Sequence, residues 1–158
     1  MPSTITVRPA TPSDAAAIAN VHHTAWQEAY SHLPALLAIR TLPQRRAQWA
    51  HSLTSGFPWD GTRCLVSESP GVTGFLVYGP NPNGGMEMYS LYVLASHYGT
   101  GAAQALMHAG VGDGPCSVWL LADNARAKRF YEKMGFEEDG GCGRREREGL
   151  VEMQMVRR

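Results

Sequence analysis

Apolar residues follow two periods along the chain, a helical one of about 3.6 near the start and a strand-like one of two from residue 63 onward. Ile5 to Arg8 alternate as a short strand that Pro9 stops. Thr11, Pro12, Ser13 and Asp14 then supply helix-cap signals, and Ile18, Val21, Ala25 and Ala29 recur at helical spacing. The pattern predicts a first helix from about Ser13 to Tyr30. Trp26 and Tyr30, four residues apart, share one side of it as an aromatic ledge that serves either the core or a binding wall. Pro34 and the loop after it interrupt the pattern. Thr41 and Pro43 open a second helix in which Ala47, Ala50 and Leu53 repeat, and Gly56 closes it.

Beyond the turn-rich segment GFPWDGT at Gly56 to Thr62, Arg63–Glu68 and Val72–Tyr78 read as a hairpin, and the loop Gly79 to Gly85 leads to a strand over Met86–Val93. The stretch Leu91 to Met107, LYVLASHYGTGAAQALM, then passes from strand through Gly99, Thr100 and Gly101 into a helix over Ala102–Ala109. After the loop GVGDGP comes a strong strand, Cys116–Ala122. Asp123 and Asn124 cap a third long helix, Ala125–Met134, and Gly135 stands where a left-handed end belongs. Phe136–Glu138 and Leu150–Val156 close the pattern as strands, with the charged run GGCGRREREG between them as a solvated hairpin loop.

Composition narrows this picture mainly by exclusion. The 158 residues suit one domain spanning residues 1–158. Lys plus Arg and Asp plus Glu balance at 14 each, which gives no electrostatic footprint for nucleic acid. No stretch approaches the ~20 apolar residues of a membrane span, and the amino terminus lacks an apolar signal core, so a soluble, cytoplasmic protein is expected. Cys64, Cys116 and Cys142 are odd in number and far apart, so neither a disulfide framework nor a metal site is expected. Cys116 reads as a small core residue.

Candidate chemistry centres on the glycine turn. Small residues at a helix mouth leave main-chain N–H groups pointing outward, where they and the helix dipole favour a phosphate, although a plain turn gives the same pattern. Arg126, Lys128, Arg129 and Lys133 on the third long helix could meet further phosphate charge, or form a solvated face in which Lys128 pairs with Glu132. A dinucleotide-binding unit is disfavoured: four residues separate the strand from Gly99, Gln104 takes the third small position, and little chain remains for a second half-fold. Glu87 is the single charged residue of its strand. It is either an exposed strand end or a carboxylate suited to general base work.

Two segments together carry a family resemblance. Met86 to Leu106 resembles the fourth strand and acetyl-CoA loop of the GNAT superfamily of N-acetyltransferases, with Tyr98, Gly99, Thr100, Gly101, Ala102 and Ala103 on the loop. Asn124 to Phe136, NARAKRFYEKMGF, is similar to the family's second signature, and the order of elements agrees over nearly the whole chain. The resemblance implies an α/β (α+β) fold: a mixed, mostly antiparallel sheet of seven strands flanked by about four helices, splayed near Leu91, Tyr92 and Val93. It implies acetyl-CoA as cofactor, held by the main chain at Leu91–Val93, by amides of Tyr98 to Ala103, and by Asn124, Lys128, Tyr131 and Lys133. Tyr131 would protonate the leaving thiolate, and Glu87 would deprotonate the amine. The acceptor would be a small-molecule or peptide amine near Trp26 and Tyr30, with a homodimer common in the family. Tyr98 stands where Gln or Arg is usual, which alters side-chain contact to the phosphates and leaves the amide contacts in place. A noncatalytic acyl-CoA sensor is the alternative, although it needs neither Glu87 nor Tyr131.

Overall fold

The computed structural model describes residues 4–82, 84–140 and 143–158. Cys142 and Asn83, the latter in the loop Gly79 to Gly85, lie outside them. These residues form eight strands and five α-helices. The strands are β1 (Thr6–Pro9), β2 (Arg63–Glu68), β3 (Val72–Pro80), β4 (Met86–Val93), β5 (Cys116–Leu121), β6 (Glu137–Glu138), β7 (Arg144–Arg147) and β8 (Leu150–Arg157). The helices are α1 (Ala15–Ala29), α2 (Pro34–Leu37), α3 (Leu42–Ser55), α4 (Ala102–Gly110) and α5 (Ala125–Lys133). The sheet order is β1-β2-β3-β4-β5-β8-β6, with β7 also on β8, and every pairing is antiparallel except β4 with β5.

Two expectations change. The charged run before Leu150 is not a loop throughout: Arg144 to Arg147 form β7 and pair with Leu150 to Met153, giving eight strands rather than seven. Exposed charges mask this strand in the sequence, although beside its ladder Arg144 pairs with Glu138 and Arg145 pairs with Glu152 and lies over the Trp119 ring. Pro34 does not merely interrupt the chain, because it starts the one-turn helix α2 and so raises the helix count to five.

Caps and packing explain why the long helices lie where they do. Thr11 and Asp14 form a capping box ahead of α1, and Thr41 and Gln44 form another ahead of α3, with Thr41 N–H donating to Gln44 Oε1 at 2.8 Å. The buried stripe of α3 is Arg45 and Trp49, whereas Ala47 and Ala50 are exposed. The i,i+4 spacing of the larger side chains overrides the alanine repeat, since an indole removes far more apolar area from water than a methyl.

The sheet separates two apolar layers. Phe75 and Val77 face α1 and α3 with Ile18, Val21, Trp49 and Val66. Leu76 and Tyr78 face α4 with Met88, Leu106, Met153 and Met155. A smaller cluster of Tyr30, Leu36 and Leu121, flanked by Trp26 and Leu150, ties α1 and α2 to β5 and β8. Arg157 joins the far ends of α4 and α5 by donating to the carbonyls of Gly112 and Gly114 and to that of Met134.

Strand β4 carries a bulge. Val77 pairs with Ser90 and Tyr78 with Met88, so Tyr89 has no opposing residue on β3. Met86 and Met88 therefore lie on the α4 side with Leu91 and Val93, while Tyr89, Tyr92 and Leu94 lie on the α1 and α3 side.

Gly74 of β3 sits under the upper part of β4, where an added Cβ would meet Tyr92 O at 2.8 Å and Val93 Cγ2 at 2.9 Å. Gly74→Ala is expected to lower the stability to urea by roughly 1–3 kcal/mol by pushing β4 outward, read as a shift of the unfolding midpoint.

Candidate active site

The site begins where a ladder stops. β4 and β5 pair only at Glu87↔Ser117 and Met88↔Val118, although β4 continues to Val93 and β5 to Leu121. Above these rungs the strands part, and the side of β4 that faces β5 has no ladder partner from Tyr89 to Val93. A cavity of about 330 Å³ fills the wedge, walled by Tyr89 to Val93 on one side and Val118, Trp119 and Leu120 on the other. Ala25, Glu28, Ala29 and Tyr30 of α1 close it from one layer, and Asn124, Ala127, Phe130 and Tyr131 of α5 from the other. Helical spacing of three and four residues puts each of these groups on one helix face.

The mouth of the wedge opens at the glycine turn. Gly99 and Gly101 both adopt positive φ, at 76° and 89°, a conformation that costs glycine nothing. Gly101 is the first flanking residue of α4, and no side chain caps that end, so the first amides of α4 are left without a side-chain acceptor. Tyr98 and Ala103 line the cavity at this end. Arg126 reaches across from α5, its guanidinium carbon 3.1 Å from the centroid of the Tyr98 ring.

Three tyrosines dominate the interior. Tyr30, from the end of α1, receives a hydrogen bond from Asn124 Nδ2 at 3.4 Å, while Asn124 Oδ1 accepts from Ala127 N–H and caps α5. Asn124 thus both starts a helix and faces the wedge. Burial raises the Tyr30, Tyr92 and Tyr131 hydroxyls above the ordinary phenol value, so all three stay protonated at neutral pH.

A cleft between two splayed strands, ending at a glycine turn and a helix mouth, agrees with known proteins. The family model for the acetyltransferase (GNAT) domain matches residues 60–138, half of the chain. The chain belongs to the GNAT acetyltransferase family. An uncharacterised N-acetyltransferase of Mycobacterium tuberculosis is 48% identical over 61 residues, a match that covers 35% of this chain and 39% of that protein. A second protein of the same species, named as a probable N-acetyltransferase, is 27% identical over 150 residues, covering 88% of this chain and 83% of its own length. Among solved structures, the PaiA N-acetyltransferase of Thermoplasma acidophilum in complex with coenzyme A superposes with a TM-score of 0.69 at 15% identity, covering 96% of this chain and 98% of that one.

Within this GNAT domain the residues singled out from the sequence fall into two groups. Leu91, Tyr92, Val93, Tyr98, Ala103, Asn124, Tyr131 and Tyr30 line the wedge. Glu87, Trp26, Gly99, Thr100, Gly101, Ala102, Lys128 and Lys133 are not part of its wall. Glu87 lies on the last rungs below the wedge, buried, and accepts a hydrogen bond from Asn81 Nδ2 at 3.0 Å. Burial raises its pKa, an effect that Asn81 and the charge of Arg145 partly offset. Trp26 packs edge-on behind Tyr30, with ring centroids 4.8 Å apart. Lys128 turns away to Glu138, at 3.7 Å, rather than to Glu132. Glu28 and Trp119, which no sequence motif marks, also line the wedge. Glu28 accepts from Ala95 N–H at 3.2 Å, three residues short of Tyr98. Its only sequence signal is that it falls one turn after Ala25 on the cleft face of α1. Among the described residues no three His, Cys, Asp or Glu side chains gather as a metal site, and no helix is long and apolar enough to cross a membrane.

Behind Tyr92 lies a buried basic pair. Trp49 Nε1–H donates to His22 Nδ1 at 3.1 Å, and Arg45 Nη1 lies 2.9 Å from His22 Nε2. Burial, with the Arg45 charge adding to it, holds the imidazole at about 3, far below its ordinary 6.5. His22 is therefore neutral in the fold and takes up a proton on unfolding between those values, so stability falls as pH drops from about 6.5 towards 3. The difference in urea midpoint between parent and His22→Gln is expected to change across that window and to be flat above pH 7.

Proposed function

We propose that the chain transfers the acetyl group of acetyl-CoA to a primary amine by direct attack within a ternary complex. The observation that carries this reading is the unpaired edge of β4 leading to the uncapped mouth of α4. The edge offers main-chain donors and acceptors to an amide-bearing arm, and the helix mouth offers amides to a pyrophosphate. Both fit acetyl-CoA, and the related PaiA fold was solved with coenzyme A. Leu91, Tyr92 and Val93 would pair with the arm, and amides from Tyr98 to Ala103 would hold the phosphates. Asn124 and Tyr131 would position the thioester end. Acetyl-CoA brings the acetyl group as a thioester.

The remaining steps belong to the side chains. Glu87, its pKa raised by burial, would in its ionised form accept the ammonium proton through water, since it lies just beneath the wedge. Tyr131 lines the cavity and its hydroxyl stays protonated, so it would give its proton to the departing thiolate. N–H groups of the free β4 edge would face the acetyl carbonyl. Glu28 supports a second reading of the base, because it lines the cavity and Glu87 does not. Trp26 and Tyr30 mark the acceptor side.

Thermal unfolding with acetyl-CoA at ~100 times its dissociation constant should gain about 2.7 kcal/mol, a rise of several degrees, with NADH and ATP giving none. No shift with acetyl-CoA would remove the cofactor assignment. Tyr131→Phe is expected to lower kcat by ~10- to 100-fold with little change in acetyl-CoA affinity. A base must be ionised, so the rate should rise with pH through the raised Glu87 pKa, and Glu87→Gln should abolish that limb with a loss of ~100-fold or more. If Glu28→Gln removes the limb instead, Glu28 is the base. Binding without turnover on any amine would favour the sensor.

A further inference from the structure

The turn that receives the phosphates lacks the Gln or Arg usual in the resembling family at position 98 and carries a tyrosine instead. The structure sets a different cation there. Arg126 lies over the Tyr98 ring at 3.1 Å from guanidinium carbon to centroid, and both residues line the wedge. Among the described residues Arg126 forms no ion pair, unlike Lys128 on the same helix, which is paired with Glu138. That contrast matters physically. A carboxylate would fix the guanidinium but cancel its charge, whereas an aromatic face fixes it and leaves both the charge and the in-plane N–H donors available.

We propose that Arg126 binds the pyrophosphate of acetyl-CoA and that Tyr98 is the positioning residue that holds it there. The inference rests on the cofactor reading above. The cation that a one-residue motif would place on the turn is delivered instead through space, from the first turn of α5 to the entrance of α4. The planar guanidinium suits two oxygens of a diphosphate at once, which a lysine at the same place could not match. Because Tyr98 and Arg126 act as one unit, their substitutions should not add.

The test is the dissociation constant of the full chain for acetyl-CoA, for 3′-dephospho-acetyl-CoA and for S-acetylpantetheine, in the parent, Arg126→Ala, Tyr98→Ala, Tyr98→Phe and the Tyr98→Ala/Arg126→Ala pair. Arg126→Ala is expected to weaken acetyl-CoA binding by roughly tenfold, and Tyr98→Ala by somewhat less. The double variant should be no weaker than Arg126→Ala, and Tyr98→Phe should restore most of what Tyr98→Ala loses. The Arg126→Ala loss should persist with 3′-dephospho-acetyl-CoA, vanish with S-acetylpantetheine and shrink as salt is raised. Additive losses, or an Arg126→Ala chain that binds acetyl-CoA as the parent does, would overturn the proposal. So would a loss confined to acetyl-CoA among the three probes, which would put Arg126 on the 3′-phosphate. A parent that does not bind acetyl-CoA at all would instead remove the cofactor reading itself.

Discussion

The structure depends on how little β4 and β5 hold each other. Two rungs of parallel ladder join the β1–β4 half of the sheet to the β5–β8 half, and everything beyond Met88 and Val118 is wedge. Parallel pairing gives less per residue than antiparallel pairing, so two rungs cannot set the angle between the halves. The helices and the small clusters set it. α4 packs across β2, β3 and β4, and the cluster of Tyr30, Leu36, Leu121 and Leu150 holds α1 and α2 against β5 and β8. The cleft is thus a place where hydrogen bonding between strands has been replaced by packing around them. That exchange leaves polar main chain exposed inside an otherwise apolar cavity.

Much of this is legible in the amino-acid sequence. The apolar run Val72–Tyr78 between turn residues and the alternation in Leu150–Val156 located β3 and β8, because β3 buries both faces and β8 one. Capping chemistry located α3 and α5, since Thr41 and Asn124 bond local amides. The glycine turn and the NARAKRFYEKMGF segment located the two sides of the wedge. What escaped was mostly non-local. β7 is a strand of exposed charges whose ladder to β8 alone defines it. The stripe of α3 was misjudged because alanine spacing says nothing of which face a buried Trp49 will claim. The Tyr98–Arg126 stack joins residues 28 positions apart, on segments whose adjacency only the fold creates. Glu28 belonged to a helix whose cleft face could not be told from its core face.

Charge follows the same division of labour. The chain is neutral as a whole, and among the described residues six of its 14 Lys and Arg side chains form ion pairs, among them Arg8 with Asp14, Arg145 with Glu152 and Lys128 with Glu138. Local pairing is why net charge was uninformative about the ligand. Burial, not pairing, governs the groups around the wedge, raising three phenols and one carboxylate and lowering one imidazole. The phenols and the imidazole change protonation only at extremes or when the fold opens, whereas burial moves the carboxylate up towards neutral pH.

The bulge at Tyr89 gives β4 something like a reading frame. One unpaired residue shifts the phase of every side chain after it, so that Tyr92 joins the α1 layer while Leu91 and Val93 join the α4 layer. Were the bulge closed up at unchanged length, with Tyr89 taking a place of its own in the ladder, Tyr92 and Val93 would exchange layers. With all eight residues of Met86–Val93 present, the one-residue offset at Tyr89 is therefore as strict a requirement for this layering as residue identity, whereas the loops at either end of the strand have no phase to keep.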